Sequence, residues 1–417
     1  MSSKPLVFLI VGEASGDKLG ADLMASIKKQ QDIRFMGIGG EGMKTQGLKS
    51  LFPMEELSHM GLWGILRDLP NLYQRLRLTV KTIQEIKPSV VVSIDSPEFS
   101  FRVMKRLHRL SPRPHLVHYV APTVWAWRPG RARKIARFLD QLFCLYPFEP
   151  QLFEKHGLKA TFIGHPIAKT IYKKRKRDPN LLCVLPGSRR SEIQMLLPIF
   201  RETVALLKKE IPELKVVLPT LPAFQESIQN EVKSWPLEVK VVVGEKKRDE
   251  AFEQAYVALA ASGTVALQLA AARLPFVIAY KIGVFSGKIA RLLIRTPWVC
   301  MVNILLAYEK GSPLSNLLTP RGLTAGSIAL RMDPAIKSRD VKETQGAPWI
   351  PEFIQENCQV DKIAPSLLQL FKDEKARDCE IKAMGEAIQL LNPPFELRFP
   401  EAFKTKRSCV RMHYRAH

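Results

Sequence analysis

Short apolar runs recur along the chain and alternate with longer segments whose apolar residues are spaced three and four positions apart. Runs of the first kind are typical of buried strands, and the longer spacing is typical of helices that pack on a sheet. Their alternation predicts parallel sheets joined by crossover helices. The runs that we interpret as strands are Leu6–Val11, Arg34–Ile38, Val90–Ile94, Leu116–Val120, Leu142–Leu145, Leu181–Leu185, Lys215–Leu218 and Val239–Val243.

A basic stretch, KKRKRDPN at residues 173–180, separates two such series and carries a Pro turn. We interpret it as a linker between two doubly wound α/β domains that face a cleft, where ligands usually bind. The expected domains are residues 1–172 and 173–380, followed by a C-terminal helix and basic tail over 381–417. Residues 311–348 are rich in Gly, Pro, Ser and Thr, which predicts a long loop inserted in the second domain.

Apolar residues over 58–87 repeat with helical spacing, and arginines and lysines lie off that stripe. Such a basic amphipathic helix either packs on the sheet or lies on a membrane surface. No stretch reads as a membrane span. The apolar run at the N-terminus is followed at once by Glu13 and Asp17, which is wrong for a signal peptide.

The chain is strongly basic: among its 417 residues, 63 Lys and Arg stand against 40 Asp and Glu, for a net charge of +23. This excess suits polyanions or anionic surfaces as partners, and equally a simple solubility feature. The six cysteines form no C-x-x-C pair, so neither a zinc site nor a disulfide framework is expected. A reducing cytoplasm fits this cysteine pattern.

The stretch GEASGDKLG follows the first strand, and its glycines raise the question of a nucleotide-binding loop. It has neither the G-x-G-x-x-G pattern with an acidic residue about 20 positions on nor a Walker A motif. Gly12, Gly16 and Gly20 therefore either let a ligand approach backbone amides or form a tight strand-to-helix turn.

Asp95 comes directly after the strand Val90–Ile94, at an end that faces the crevice in a parallel sheet. A carboxylate there can accept a proton from an attacking hydroxyl, or it can simply cap the next helix. Two strand–loop–helix segments in the second half, LPGSRRSEI and AASGTVALQLA, offer backbone donors at a helix start. Arg189 adds a charge suited to phosphate, and Gln268 lies one turn beyond the second loop.

Nine motifs stand in order along the chain: GEASGDKLGA, GIGGEGM, MEELSHMGLWGIL, SIDSPEF, HYVAPTVWAWRPGR, YPFE, FIGHPI, LPGSRRSEI and AASGTVALQLA. Together they resemble the lipid-A-disaccharide synthase family over about residues 6–310, and the resemblance resumes at PEFIQENCQVDKIA. It implies a GT-B fold with two Rossmann-like domains and an inverting, metal-independent glycosyltransferase that needs no cofactor. The implied substrates are UDP-2,3-diacylglucosamine and 2,3-diacylglucosamine 1-phosphate, and the implied products are a β(1→6) disaccharide and UDP.

The resemblance also implies roles for individual residues. Asp95 matches the proposed base, and Arg189 matches the essential arginine of the GSR motif. Gln268 stands where the family commonly has a glutamate that binds the donor ribose. Asn303 matches the family's asparagine loop, and Asn316 is the alternative candidate for that position. The other implied positions are Gly187, Ser188, Ser262, Gly263, Thr264 and Asn303 for the donor, and Glu13, Ser15 and Gly16 for the acceptor-side loop.

The motif MGLWGIL falls where the family has an exposed apolar patch, so membrane contact is expected through Met60, Leu62, Trp63 and Leu66. The resemblance therefore implies a cytoplasmic protein bound peripherally to the inner membrane through anionic lipid head groups. No nucleic-acid partner is expected, and a homodimer is among the expected assemblies.

Two other readings compete with this one. Another UDP-sugar enzyme of the same architecture, such as a UDP-N-acetylglucosamine 2-epimerase, would share the loops. Alternatively, Trp125 and Trp127 with the arginines over residues 128–137 would suit a non-catalytic nucleic-acid or lipid-surface binder, although such cations also suit a solvated helix face.

Overall fold

Two parallel sheets organise the chain, which divides into two units after Pro166. The computed structural model describes residues 4–58, 69–126, 129–281, 298–311 and 348–393. The predicted α/β class with two doubly wound sheets is confirmed.

The first unit contains a seven-stranded sheet in the order β3-β2-β1-β4-β5-β6-β7, with every neighbouring pair parallel. The central strands are runs of Val, Ile and Leu because both of their faces are buried. The strands are β1 (Leu6–Val11), β2 (Arg34–Ile38), β3 (Lys49–Ser50), β4 (Val90–Ile94), β5 (His115–Tyr119), β6 (Gln141–Cys144) and β7 (Lys159–Phe162). The helices are α1 (Ala14–Lys28), α2 (Glu41–Thr45), α3 (Glu55–Ser58), α4 (Leu69–Ile86), α5 (Pro97–Leu107), α6 (Gly130–Ala136) and α7 (Pro150–Glu154).

The second unit contains a six-stranded parallel sheet in the order β10-β9-β8-β11-β12-β13, the strand order of the Rossmann fold. Its core joins the buried face of α8, around Phe200, to the strands and to the later helices. The strands are β8 (Leu181–Leu185), β9 (Lys215–Thr220), β10 (Val239–Val243), β11 (Val257–Ala260), β12 (Phe276–Tyr280) and β13 (Glu352–Ile354). The helices are α8 (Arg190–Glu210), α9 (Gln225–Val232), α10 (Glu245–Gln254), α11 (Val265–Ala271), α12 (Met301–Glu309), α13 (Val360–Lys372) and α14 (Glu374–Leu390).

The expected limit of the second domain at residue 380 falls inside the C-terminal helix α14. Helix α14 runs without a break through this position and packs on α11 and α12, within the second unit. Glu380 is itself buried and accepts a hydrogen bond from the amide of Phe276 at 3.0 Å. The second unit therefore continues to Asn392.

The basic stretch that we interpret as a linker is attached to the second unit. The guanidinium of Arg177 donates to the carbonyls of Phe252, Ala255 and Ala272, at 2.8, 2.5 and 2.8 Å. Arg175 forms an ion pair with the buried Glu253 at 2.8 Å. Several of the basic side chains thus satisfy partners inside the fold.

The described part of the basic amphipathic helix is α4, which buries Leu72, Leu76 and Ile83 against the first unit. Tyr73 belongs to the predicted apolar stripe but is 53% exposed. No helix among the described residues is both long and apolar enough to cross a bilayer. The predicted membrane contacts Met60, Leu62, Trp63 and Leu66 lie outside the described residues, as do Asn316, most of the predicted insertion and the basic tail.

Candidate functional site

Each sheet has one point at which the strand order reverses, and the candidate residues lie there. In the first unit the reversal falls between β1 and β4, and in the second between β8 and β11. Helices leave such neighbouring strands in opposite directions, which opens a crevice at the carboxyl ends where ligands of open α/β sheets bind. Glu13 and the first turn of α1, with Ser15 and Gly16, follow β1, and Asp95 follows β4. The loops at Gly187–Arg189 and Ser262–Thr264 follow β8 and β11.

The glycines after β1 allow the first loop to lie directly against the end of β4. A Cβ on Gly16 would come within 2.9 Å of Val11 Cγ1 and 3.3 Å of the Ile94 carbonyl oxygen. A Cβ on Gly12 would come within 2.7 Å of Ser96 Oγ. The glycine pattern is thus explained by the close approach of two loops, and it brings the start of α1 to Asp95.

Asp95 presents one carboxylate oxygen that is held and one that is nearly free. Oδ1 accepts a hydrogen bond from the amide of Ser96 at 2.9 Å, and Oδ2 lies 3.4 Å from the hydroxyl of Ser15. This contact with Ser96 differs from a helix cap, in which the carboxylate would bind amides inside the first turn of α5. Partial burial, and then the nearby Asp95 carboxylate, raise the pKa of Glu13.

The backbone around Asp95 is strained. Asp95 and Ser96 have φ angles of +54° and +43°, and Val120, after the neighbouring strand β5, has +78°. Non-glycine residues rarely adopt positive φ, and each costs about 1–3 kcal/mol. Such strain concentrates at functional sites, so the carboxyl edge of β4 and β5 is a candidate site on backbone evidence as well.

Asp17 has a structural role that sequence reasoning did not assign. Its carboxylate, on α1, accepts from the amides of Gly40, Gly42 and Met43 at 2.8, 2.8 and 3.1 Å. It therefore caps the start of α2 and fixes the GIGGEGM segment. Of the four glycines in that segment, Gly40 and Gly42 lie against this carboxylate and Gly39 lies against Met43.

His118 is a fully buried residue of β5 beside the strained edge. Its Nδ1 lies 2.7 Å from the hydroxyl of Ser93 on β4, and its ring meets that of Phe101 edge-on. Within the described part of the chain its Nε2 has no hydrogen-bond partner. Burial, with a smaller effect of the Arg131 charge, lowers the pKa of His118 to about 3. The imidazole is therefore neutral at physiological pH.

In the second unit, a carboxylate occupies the loop after β8. Glu192 Oε2 accepts from the amides of Ser188 and Arg189 at 3.2 and 3.3 Å. Its other oxygen accepts from the Arg189 guanidinium at 3.0 Å and from the Tyr280 hydroxyl at 3.2 Å. The amides of Ser188 and Arg189 thus bind an internal carboxylate, and the phosphate role of this loop stays a prediction.

The Arg189 guanidinium is held by Glu192 through one nitrogen, and the rest of it is exposed to solvent. Its side chain is 75% exposed, while that of Glu192 is 8% exposed. Glu192 and Tyr280 were missed in the sequence reading. Glu192 could have been found from a local signal, because it is the N3 residue of α8 and a glutamate at N3 commonly binds the N-cap amide in a capping box. Tyr280 has no comparable local signal.

The loop after β11 lies beside that after β8, because the two strands pair and the Ala261 amide donates to the Leu185 carbonyl. Gly263 and Thr264 are exposed, and Ser262 is half-buried. Thr264 is the N-cap residue of α11, and its side chain makes no capping hydrogen bond. Gln268 lies one turn further along this helix and is half-buried.

Asn303 lies inside the fold. It is completely buried, and its amide nitrogen donates to the Ile350 carbonyl at 2.9 Å and to Glu352 at 2.6 Å. Its oxygen accepts from the Ile350 amide at 2.9 Å. The whole amide is used to attach the segment around β13 to α12. The expected contact of Asn303 with the donor is therefore not what this structure shows, and we leave Asn303 out of the proposed donor site.

Among its described residues, the segment that was considered for nucleic-acid binding shows no open aromatic face on which a base could stack. Trp125 is buried, and Arg131 is directed toward Glu98 and the ring of Phe101. Trp127 and Arg128 lie outside the described residues. Across the described ranges, no group of three or more His, Cys, Asp or Glu side chains could hold a metal ion.

Solved structures similar to this chain share its fold at low sequence identity. A putative UDP-N-acetylglucosamine 2-epimerase from Listeria monocytogenes matches with a TM-score of 0.57 and 12% identity, over 93% of this chain and 94% of that one. The UDP-GlcNAc 2-epimerase from Neisseria meningitidis bound to UDP-GlcNAc matches with a TM-score of 0.55 and 10% identity, over 93% and 98%. The likeness shows the GT-B type of fold.

Sequence comparison identifies the family. A family model described as lipid-A-disaccharide synthetase matches residues 7–311. Lipid-A-disaccharide synthase of Rhodospirillum centenum is 42% identical over 402 residues, covering 93% of this chain and 90% of the relative. That of Paramagnetospirillum magneticum is 40% identical over 401 residues, covering 93% of both. The chain therefore belongs to the lipid-A-disaccharide synthase family of glycosyltransferases.

Proposed function

We propose that this synthase transfers 2,3-diacylglucosamine from its UDP derivative to the 6-hydroxyl of 2,3-diacylglucosamine 1-phosphate in one inverting displacement. The acceptor oxygen attacks the anomeric carbon, its proton passes to a carboxylate, and UDP leaves. One base is sufficient, because no covalent intermediate forms. Family membership supports the substrates, and the residues at the two strand reversals support the roles below.

Asp95 is the proposed base. The observation that supports this assignment is the difference between its two carboxylate oxygens, at a strained strand end. The Ser96 amide binds Oδ1, and within the described ranges Oδ2 has only the 3.4 Å contact with Ser15. An oxygen held this loosely is available to accept a proton from a hydroxyl. Glu13, Ser15 and Gly16 form the proposed acceptor-side loop around it.

Arg189 is proposed to stabilise the diphosphate that leaves. Its exposed guanidinium can meet two phosphate oxygens at once, and Glu192 with Tyr280 would position it. Ser262, Gly263, Thr264 and Gln268 on the neighbouring loop complete the proposed donor site, together with Gly187 and Ser188. No metal is required in this scheme, because Arg189 and the amides of the Ser262–Thr264 loop supply the positive field.

The lipid substrates imply that the protein works at a membrane surface. We propose peripheral binding at the cytoplasmic face of the inner membrane, with Met60, Leu62, Trp63 and Leu66 as apolar contacts and the net charge of +23 as the attraction to anionic lipids. A homodimer stays a prediction.

The decisive experiment measures UDP release by the full chain with UDP-2,3-diacylglucosamine in detergent containing EDTA, with and without 2,3-diacylglucosamine 1-phosphate. Release that requires the acceptor is the expected result. A folded protein that is inactive with both lipids, or that instead converts UDP-N-acetylglucosamine to its 2-epimer, would overturn the proposal.

A further inference from the structure

We propose that a basic pocket on the first unit binds the phosphate group of an anionic phospholipid. The pocket is an open depression of about 330 Å³ where α5 and α6 end. This inference rests on the membrane part of the proposed function and names a site for it among the described residues. The residues that line this α5–α6 pocket are Lys105, His108, Arg109, Lys134, Arg137 and Phe138.

The α5–α6 pocket carries more positive charge than is required to offset the partial negative charges at the C-termini of α5 and α6. Lys105, Arg109, Lys134 and Arg137 are all exposed, and within the described chain none of the four forms an ion pair. Cations commonly offset the partial negative charge at a helix C-terminus, which is about half an elementary charge for each helix. Two helix ends therefore account for roughly one of the four charges. Each phosphate diester carries one negative charge, so the surplus of about three suits a membrane surface on which several such head groups lie side by side.

The α5–α6 pocket is separate from the proposed catalytic site. Asp95 precedes the first turn of α5, whereas Lys105 and Arg109 lie at its other end. Eleven helical residues span about 16 Å, so the pocket lies one helix length from the carboxylate. A phosphate in this pocket is not the phosphate of an acceptor that reacts at Asp95.

The aromatic groups favour a lipid head group over nucleic acid. Phe138 is 5% exposed, and the ammonium of Lys105 lies 5.4 Å from its ring centroid, so this ring offers no face to a base. On α4, which packs on α5, the exposed Tyr73 has the guanidinium groups of Arg77 and Arg106 each 5.9 Å from its ring centroid. Tyrosine flanked by cations is typical of a membrane interface, whereas base recognition needs aromatic faces that are open.

The test is binding of the full chain to vesicles of phosphatidylglycerol and phosphatidylcholine in equal amounts, measured by co-sedimentation. The pocket variant carries Lys105→Gln, Arg109→Gln, Lys134→Gln and Arg137→Gln. The control variant removes the same charge from exposed lysines of the same unit, with Lys29→Gln, Lys49→Gln, Lys155→Gln and Lys159→Gln. We expect the pocket variant to bind at least about tenfold more weakly than the control, because each cation near an anionic surface contributes to the partition constant.

Activity on detergent-dispersed substrates separates this inference from the proposed function. Because the pocket is remote from Asp95, both variants should release UDP at the wild-type rate there, so a loss confined to vesicles supports the pocket. Equal weakening of both variants would mean diffuse charge attraction, and unchanged binding would mean no contact. Either result overturns the inference. It is also overturned if the wild type binds single-stranded RNA and the pocket variant loses this binding but still binds vesicles.

Discussion

The carboxylate of Glu192 occupies the space that a side chain at residue 187 would need. A Cβ on Gly187 would lie 2.7 Å from Glu192 Oε2 and 2.9 Å from Glu192 Cβ, and Gly187 has a φ angle of +114°. The glycine of the GSR motif is therefore required both by its backbone and by the carboxylate that holds Ser188 and Arg189. The loop and its glutamate are parts of one arrangement.

Replacing Gly187 with alanine should damage both stability and activity. The substitution forces a side chain into a positive-φ position and against Glu192, so we expect the free energy of unfolding to fall by about 1–3 kcal/mol and turnover to drop with it. Urea denaturation and UDP release measure the two effects. Gly130→Ala is the control, because no atom lies within 4 Å of its added methyl group. A fully stable and active Gly187→Ala protein would contradict the arrangement described.

Asp95→Asn should abolish proton acceptance with little change in the fold. We expect kcat to fall by about 10²–10⁴ while KM for both substrates changes little, since the amide keeps the shape but has no basic oxygen. Circular dichroism checks the fold, and Asp22→Asn on the exposed face of α1 is the charge-matched control. Turnover near that of the control would exclude Asp95 as the base.

Asn303→Ala distinguishes an internal role from donor binding. Removing the amide leaves the Ile350 amide and carbonyl without their partner, and Glu352 Oε1 keeps only the Cys300 amide of its two described donors. This should lower the free energy of unfolding by about 2–4 kcal/mol. KM for the UDP-sugar should stay at the wild-type value in the folded protein. A stable variant with a raised KM would return Asn303 to the donor site.

His118 should make stability depend on pH. The pKa of about 3 in the folded protein lies below the ordinary value near 6.5, so between these limits the unfolded chain binds a proton that the folded one does not. The free energy of unfolding should therefore fall as pH decreases from 6.5 toward 3, by up to about 1.4 kcal/mol per pH unit from this group. Above pH 6.5 the group has no effect.

His118→Gln tests this dependence, because glutamine can keep a hydrogen bond to Ser93 but does not titrate. Urea denaturation across the acidic range should show a shallower loss of stability than in the wild type. His156→Gln, at an exposed histidine, serves as the control and should leave the slope unchanged. Identical slopes for His118→Gln and the wild type would disprove the assignment.

The fold was predictable largely because parallel strands buried on both faces are unbroken apolar runs, as in β1 and β4. The edge strands β3 and β7 were missed, since Lys49–Ser50 and Lys159–Phe162 are short and partly polar. β12 escaped notice for the opposite reason. It lies within a long apolar stretch, where periodicity does not separate a strand from a buried helix.

The candidate site was predictable where strand ends mark loops in the sequence itself, as at Asp95 and Arg189. Contacts between distant segments were not. Tyr280 reaches Glu192 across 88 positions, and Asp17 reaches Gly42 across 25. Nor does the sequence reveal how deeply Asn303 is buried. An asparagine is a common sugar ligand, but both polar atoms of this side chain bind Ile350 and Glu352 inside the fold.

The hydrogen bonds of Arg177 determine where a fragment that contains only the second unit should begin. The guanidinium donates to carbonyl groups at the C-terminal ends of α10 and α11, and it therefore caps both helices. The natural starting point of an excised second unit is therefore upstream of Lys173. A fragment cut at Asp178 would keep the whole sheet and lose the side chain that finishes two of its helices.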